Sequence, residues 1–183
     1  MSKHRDIVIL VGNLQAESPN RKLAKNLISL SPAGLSLRIV EIENLPIYNE
    51  DLEADPPREW IDFRAAIGQS SGVLIITPEH LRSIPAVLMN ALDVGSMPKE
   101  TNVWADKPVA IAGASTGTIA PYSGQEHLRD ALTVLHAKTM PGPDLYLGGP
   151  ERLFGDKEDL VDQGTRQLVE KFVGDFEAWV NAQ

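Results

Sequence analysis

Cysteine is missing from all 183 residues, which removes disulfides, thiolate zinc sites and cysteine nucleophiles from consideration. Long apolar runs are missing too, and none approaches the roughly 18 residues of a membrane span. Neither G-x-G-x-x-G nor G-x-x-x-x-G-K-[ST] occurs, so a dinucleotide fingerprint and a P-loop NTPase are disfavoured. The four histidines, His4, His80, His127 and His136, lack ligand spacing, and no metal is expected. Positive charge is scarce: 17 Lys and Arg face 25 Asp and Glu, a formal net charge of -8. Phosphates repel such a surface, so nucleic acid is not an expected partner. Met1 to Asp6 has no signal-peptide layout, and a cytoplasmic location is the expectation. No repeat, linker or low-complexity tract breaks the chain. At this length, with 43% hydrophobic residues, one domain spanning 1–183 is expected.

What is present alternates. Ile7–Val11 and Gly72–Ile76 are continuous apolar runs, the pattern of strands buried on both faces. Residues 37–42 read as a second strand, nearer an edge because of Arg38 and Glu41. Pro108–Ala112 reads as a fourth strand and Leu145–Leu147 as a short fifth. Between them, helical spacing is expected to begin near Asn20, to run from about Trp60 to Ile67, to cover Val87–Asp93, and to carry Leu128, Ala131, Leu132 and Leu135. Leu168, Phe172, Phe176 and Trp179 form the apolar stripe of a last helix, read as core packing. Alternating strands and helices predict a three-layer α/β sandwich around a five-stranded parallel sheet, order 2-1-3-4-5, with ligands at the switch point.

Three loops follow the first, third and fourth strands and therefore converge on one crevice. In the first, Val11-Gly12-Asn13-Leu14-Gln15-Ala16-Glu17-Ser18-Pro19-Asn20-Arg21, Ser18 and Asn20 can donate to a phosphate at a helix start. The same two residues are equally candidates for a plain helix N-cap. The second, Thr77-Pro78-Glu79-His80-Leu81-Arg82-Ser83-Ile84-Pro85, is stiffened by prolines, and its backbone groups are free of any strand ladder. That suits the edge of a flat polar ring, and equally a ligand-free strand-to-helix turn. The third is Gly113-Ala114-Ser115-Thr116-Gly117.

These segments, the second continued through Ala86–Val94, resemble the G-S-L-R-x-x-S-x-N, T-P-E-Y-N-x-S-x-P-G-x-L-K-N-A-[IL]-D-W and G-A-S-P-G signatures of the NADPH-dependent FMN reductases, which are flavodoxin-like quinone, azo-dye and chromate reductases. Leu45–Asp51 falls between them, and the match runs in order along nearly the whole chain. The resemblance implies a flavodoxin-like fold, FMN and NAD(P)H as cofactors, a small-molecule electron acceptor such as a quinone, and a homodimer or homotetramer. It places Asn13, Gln15, Ser18, Asn20 and Arg21 at the phosphate, and Pro78, Glu79, His80, Leu81 and Ser83 along the ring. Ser115, Thr116 and Gly117 then face the pyrimidine edge, where donors favour the anionic reduced form. No catalytic acid or base is expected, because the flavin carries the chemistry.

The chain departs from the family pattern at several positions. Asn13 replaces serine and Gln15 replaces the arginine that would pair with the phosphate. Glu17 adds a negative charge that Arg21 is expected to offset. His80, Leu81, Ala86, Met89 and Val94 also differ, and Leu81 is expected either to line the dimethylbenzene side or to fill the cleft. These departures leave a second reading open, a flavin-free relative acting as a binding or regulatory protein. Gly113-Ala114-Ser115-Thr116-Gly117 also matches G-x-S-x-G of α/β-hydrolases. That reading needs a downstream acid and then a histidine, offers only His127 and His136, and meets Pro121 where its helix should begin.

Overall fold

A computed structural model describes residues 4–115, 122–149 and 153–183. Parallel strands form one sheet in the order β2-β1-β3-β4, followed by β5 and β6. The strands are β1 (Arg5–Val11), β2 (Leu35–Ile39), β3 (Gly72–Ile76), β4 (Pro108–Ser115), β5 (Lys138–Thr139) and β6 (Leu145–Gly148). The helices are α1 (Pro19–Ser29), α2 (Arg58–Gln69), α3 (Ala86–Ser96), α4 (Tyr122–Val134) and α5 (Gln163–Ala182).

Successive residues of a strand point to opposite faces, and the two cores follow that period. Ile7, Ile9, Val11, Leu74, Ile76, Ala110 and Ala112 face Leu23 and Leu27 of α1 and Phe172 and Phe176 of α5. Val8, Leu10, Val73, Ile75, Val109 and Ile111 face Trp60 and Phe63 of α2, Leu88 of α3, and Leu128 and Leu132 of α4. The central strands carry unbroken apolar runs, Ile7–Val11, Gly72–Ile76 and Pro108–Ala114, because both faces are covered there.

The expected order of five sheet positions holds, but the fifth is built from two pieces. Pro108 and Val109 pair with β5, while Ala112 to Ser115 pair with β6. Strand β2 runs two residues earlier than expected: Leu35 and Leu37 are its buried residues, and the ladder with β1 ends at Ile39. Strand β4 runs three residues past Ala112, so Gly113, Ala114 and Ser115 belong to the sheet and not to a loop. Helices α2 and α4 start earlier than their apolar spacing suggests, because each opens on two residues outside the apolar stripe, Arg58 and Glu59 in α2 and Tyr122 and Ser123 in α4.

Candidate functional site

The register Val11↔Ile76 and Ile76↔Ala112 brings the carboxyl ends of β1, β3 and β4 to one edge of the sheet. The first loop leaves β1 at Gly12, whose amide still bonds the Ile76 carbonyl (2.8 Å). The room there is small: a Cβ at position 12 would meet Leu88 Cδ2 at 3.3 Å and Thr77 Oγ1 at 3.5 Å. The loop then folds on itself. Asn13 Oδ1 accepts from the Gln15 amide (2.9 Å), and the Gln15 carbonyl accepts from the Ser18 amide (3.1 Å).

Ser18 settles the capping question. It is wholly buried, has extended backbone, and its Oγ accepts from the Arg21 amide at 3.1 Å. Asn20 does not offer its side chain to a ligand. Its Nδ2 donates to the Ala114 carbonyl (2.9 Å) and its Oδ1 accepts from the Ala114 amide (2.9 Å). Beside β4 the chain has turned away after Ile76, and the Asn20 amide group takes the place of the missing strand neighbour. Arg21 does not offset Glu17 either. Both of its Nη atoms donate to the Glu41 carboxylate at 2.7 Å, while Lys22 approaches Glu17 at 3.8 Å. The pair raises the Arg21 pKa and holds the Glu41 carboxyl below its ordinary range, in each case mainly through the hydrogen bond between them.

What remains for a ligand at the α1 start is backbone. Among the described residues, the amides of Ala16, Glu17 and Asn20 have no acceptor. They lie at the positive end of an eleven-residue helix, with Gln15, Ala16 and Glu17 exposed. This donor set fits a phosphate monoester held by neutral N–H groups, with no cation of the first loop free to pair with it.

The second loop is a two-residue hairpin. His80 and Ser83 exchange both backbone hydrogen bonds, at 2.9 and 2.8 Å. Its central residues, Leu81 and Arg82, have φ values of 50° and 62°, the handedness of a type I′ turn. Left-handed backbone costs a non-glycine residue about 1–2 kcal/mol, so the tip holds its shape against local preference. Leu81 is 101% exposed. It therefore fills no cleft within the chain. Among the described residues, the amides of Glu79, Leu81 and Arg82 have no acceptor, as a polar ring edge requires. Pro78 is buried, while His80 is exposed and Ser83 half-buried. Below the loop, Asn90 of α3 holds residues 45–48: its Nδ2 donates to the Leu45 and Pro46 carbonyls and its Oδ1 accepts from the Tyr48 amide (2.8 Å). The second-loop signature of the family carries an asparagine at position 90, but the motif alone does not say what its side chain holds.

Ser115 closes β4, half-buried and in register with Gly148. Thr116, Gly117 and Pro121 lie outside the described residues. The hydrolase arrangement fails on geometry. His127 is exposed on α4, and the His136 carbonyl accepts from Asp106 near the start of β4. His136 thus lies at the opposite end of an eight-residue strand, about 20 Å from Ser115 at roughly 3.3 Å per residue.

Three kinds of likeness meet on this framework. The model of the NADPH-dependent FMN reductases matches residues 5–150. A quinone reductase of Pseudomonas putida is 44% identical over 181 residues, 98% of this chain and 97% of its own. A 2-hydroxy-1,4-benzoquinone reductase of a Burkholderia species is 38% identical, with 95% of each chain covered. Among solved structures, the flavoenzyme NAD(P)H:(acceptor) oxidoreductase FerB of Paracoccus denitrificans superposes with a TM-score of 0.92 at 32% identity, covering 97% of this chain and 98% of that one. Likeness at this depth reaches from β1 through the third loop and beyond, and on that ground the chain belongs to the NADPH-dependent FMN reductase family.

Proposed function

We propose that the chain is an FMN-dependent NAD(P)H oxidoreductase that passes hydride through the flavin to a small acceptor such as a quinone. The observation that carries this reading is the pairing of two sets of free amides on one sheet edge. Those of Ala16, Glu17 and Asn20 suit a phosphate, and those of Glu79, Leu81 and Arg82 suit a ring edge. Bound FMN would supply acceptance of hydride from the nicotinamide and its delivery to the acceptor.

The residues bind and orient. Asn13, Gln15, Ser18, Asn20 and Arg21 shape the phosphate loop, mainly by fixing its backbone. Pro78, Glu79, His80, Leu81 and Ser83 hold the ring, with Leu81 against its apolar side. Ser115, Thr116 and Gly117 serve the pyrimidine edge. No residue needs to act as acid or base. The exposed apolar side chains of Leu14, Leu81 and Met89 support assembly as a homodimer or homotetramer. We place its action in the cytoplasm, where reduced nicotinamide nucleotides are supplied, and expect no nucleic-acid or membrane partner.

The test is direct. Purified protein saturated with FMN, then desalted and denatured, releases FMN into the supernatant, and the native protein shows a flavin spectrum bleached by NAD(P)H. Release of FAD would correct the cofactor. No retained flavin would replace the reading with that of a flavin-free binding protein.

A further inference from the structure

The side chain of Glu79 is engaged within the protein. Its Oε2 accepts from the Gly124 amide at 3.2 Å, in the first turn of α4. Its Oε1 accepts from Arg82 Nη1 at 3.1 Å, on the left-handed tip of the second loop. The Glu79 side chain is only 15% exposed. Gly124 packs directly on the same loop: a Cβ there would lie 3.2 Å from the Pro78 and Ser83 carbonyl oxygens and 3.3 Å from Glu79 Cα. One carboxylate thus caps a helix from outside the helix and also steadies the strained turn.

From this we infer that Glu79 is a positioning residue, locking the ring-holding loop onto the start of α4 and so fixing where the free amides of that loop stand. The inference rests on the proposed flavin function for its consequence, though not for its geometry. The free amides of Glu79, Leu81 and Arg82 are useful to a ring only if the hairpin stands at a fixed place on the sheet edge. The hairpin's own hydrogen bonds fix its shape, and the Glu79 carboxylate together with the glycine contact fixes its place. Gly124 is required here for close approach: an added methyl group must push two backbone carbonyls away, while α4 gains helix propensity in exchange.

The experiment compares Glu79→Gln, Glu79→Ala, Arg82→Ala and Gly124→Ala with the wild type in two readouts. The first is hydrogen exchange at the Gly124 amide in flavin-free protein. The second is FMN affinity, measured by titration. Glu79→Gln keeps an acceptor for Gly124 and should stay within threefold of wild type in both. Glu79→Ala should lose most of the Gly124 protection and bind FMN at least tenfold more weakly. Arg82→Ala should keep the protection. Gly124→Ala should weaken FMN while leaving the melting temperature nearly unchanged. Rescue by glutamine but not alanine is the mark of positioning. Equal FMN affinity in wild type and Glu79→Ala overturns the inference, as does glutamine behaving like alanine. A wild type that binds no FMN defeats the function instead, and the exchange comparison still decides whether the staple exists.

Discussion

Replacing Asn20 by alanine tests the join between the first loop and the sheet. Asn20 and Ala114 are each 1% exposed, and two hydrogen bonds of 2.9 Å connect them. Alanine removes both and leaves one buried N–H and one buried C=O of β4 without a partner. An orphaned buried polar group costs about 1–3 kcal/mol, so the pair costs about 2–6 kcal/mol. At about 2–4 °C per kcal/mol for a chain of this size, the melting temperature falls by roughly 4–24 °C. Urea unfolding of the flavin-free protein, followed by far-ultraviolet circular dichroism, measures the loss, and an unchanged slope shows that the unfolded state is not at issue. Asn20→Asp sharpens the test. At neutral pH its carboxylate still accepts from the Ala114 amide but faces the Ala114 carbonyl with no proton. Its deficit should approach that of alanine and shrink in acid, as the carboxyl takes up a proton it can donate. A loss under 1 kcal/mol for Asn20→Ala, or an aspartate variant as stable as wild type at neutral pH, would refute the reasoning.

Five further outcomes are expected. Gln15→Arg should tighten FMN roughly tenfold or more, since a charged hydrogen bond contributes about 1.5–3 kcal/mol; an unchanged dissociation constant would mean that the helix-end amides already satisfy the phosphate. Glu41→Gln should release Arg21 toward the same loop and tighten FMN severalfold, measured by fluorescence quenching. The Arg21–Glu41 pair has its own pH signature: because the folded Glu41 pKa is depressed, its stability contribution is present above the unfolded glutamate range and is lost as pH falls through the depressed value. With Glu41 half-exposed, that contribution is at most about 1 kcal/mol, visible as a difference between wild type and Glu41→Gln melting curves. Ser115→Ala should leave NAD(P)H oxidation largely intact, whereas loss by orders of magnitude of a wild-type esterase activity would revive the nucleophile. Leu81→Asn should relieve left-handed strain by about 1 kcal/mol and change acceptor turnover while FMN stays bound; if only the asparagine variant retains FMN, the natural chain is a flavin-free relative.

Much of this protein is legible in its sequence because burial on both faces of a parallel sheet leaves unbroken apolar runs. Ile7–Val11, Gly72–Ile76 and Pro108–Ala112 announce the central strands, and the turn residues after them announce the edge where a ligand is held. Side-chain commitments are not legible in the same way. Ser18, Asn20, Arg21 and Glu79 are polar residues in the right loops, and sequence makes each a plausible ligand contact. Tertiary structure decides otherwise for their side chains, because each finds a partner far along the chain or caps a helix. Asn20 reaches Ala114, Arg21 reaches Glu41, Glu79 reaches Gly124, and Ser18 closes α1. The division of the fifth sheet position between β5 and β6 is likewise a tertiary outcome, since a two-residue strand leaves no period to read. Apolar periodicity is a local property that a sequence carries by itself. The partner of a polar group depends on which distant backbone lies unsatisfied beside it, and only the folded chain determines that.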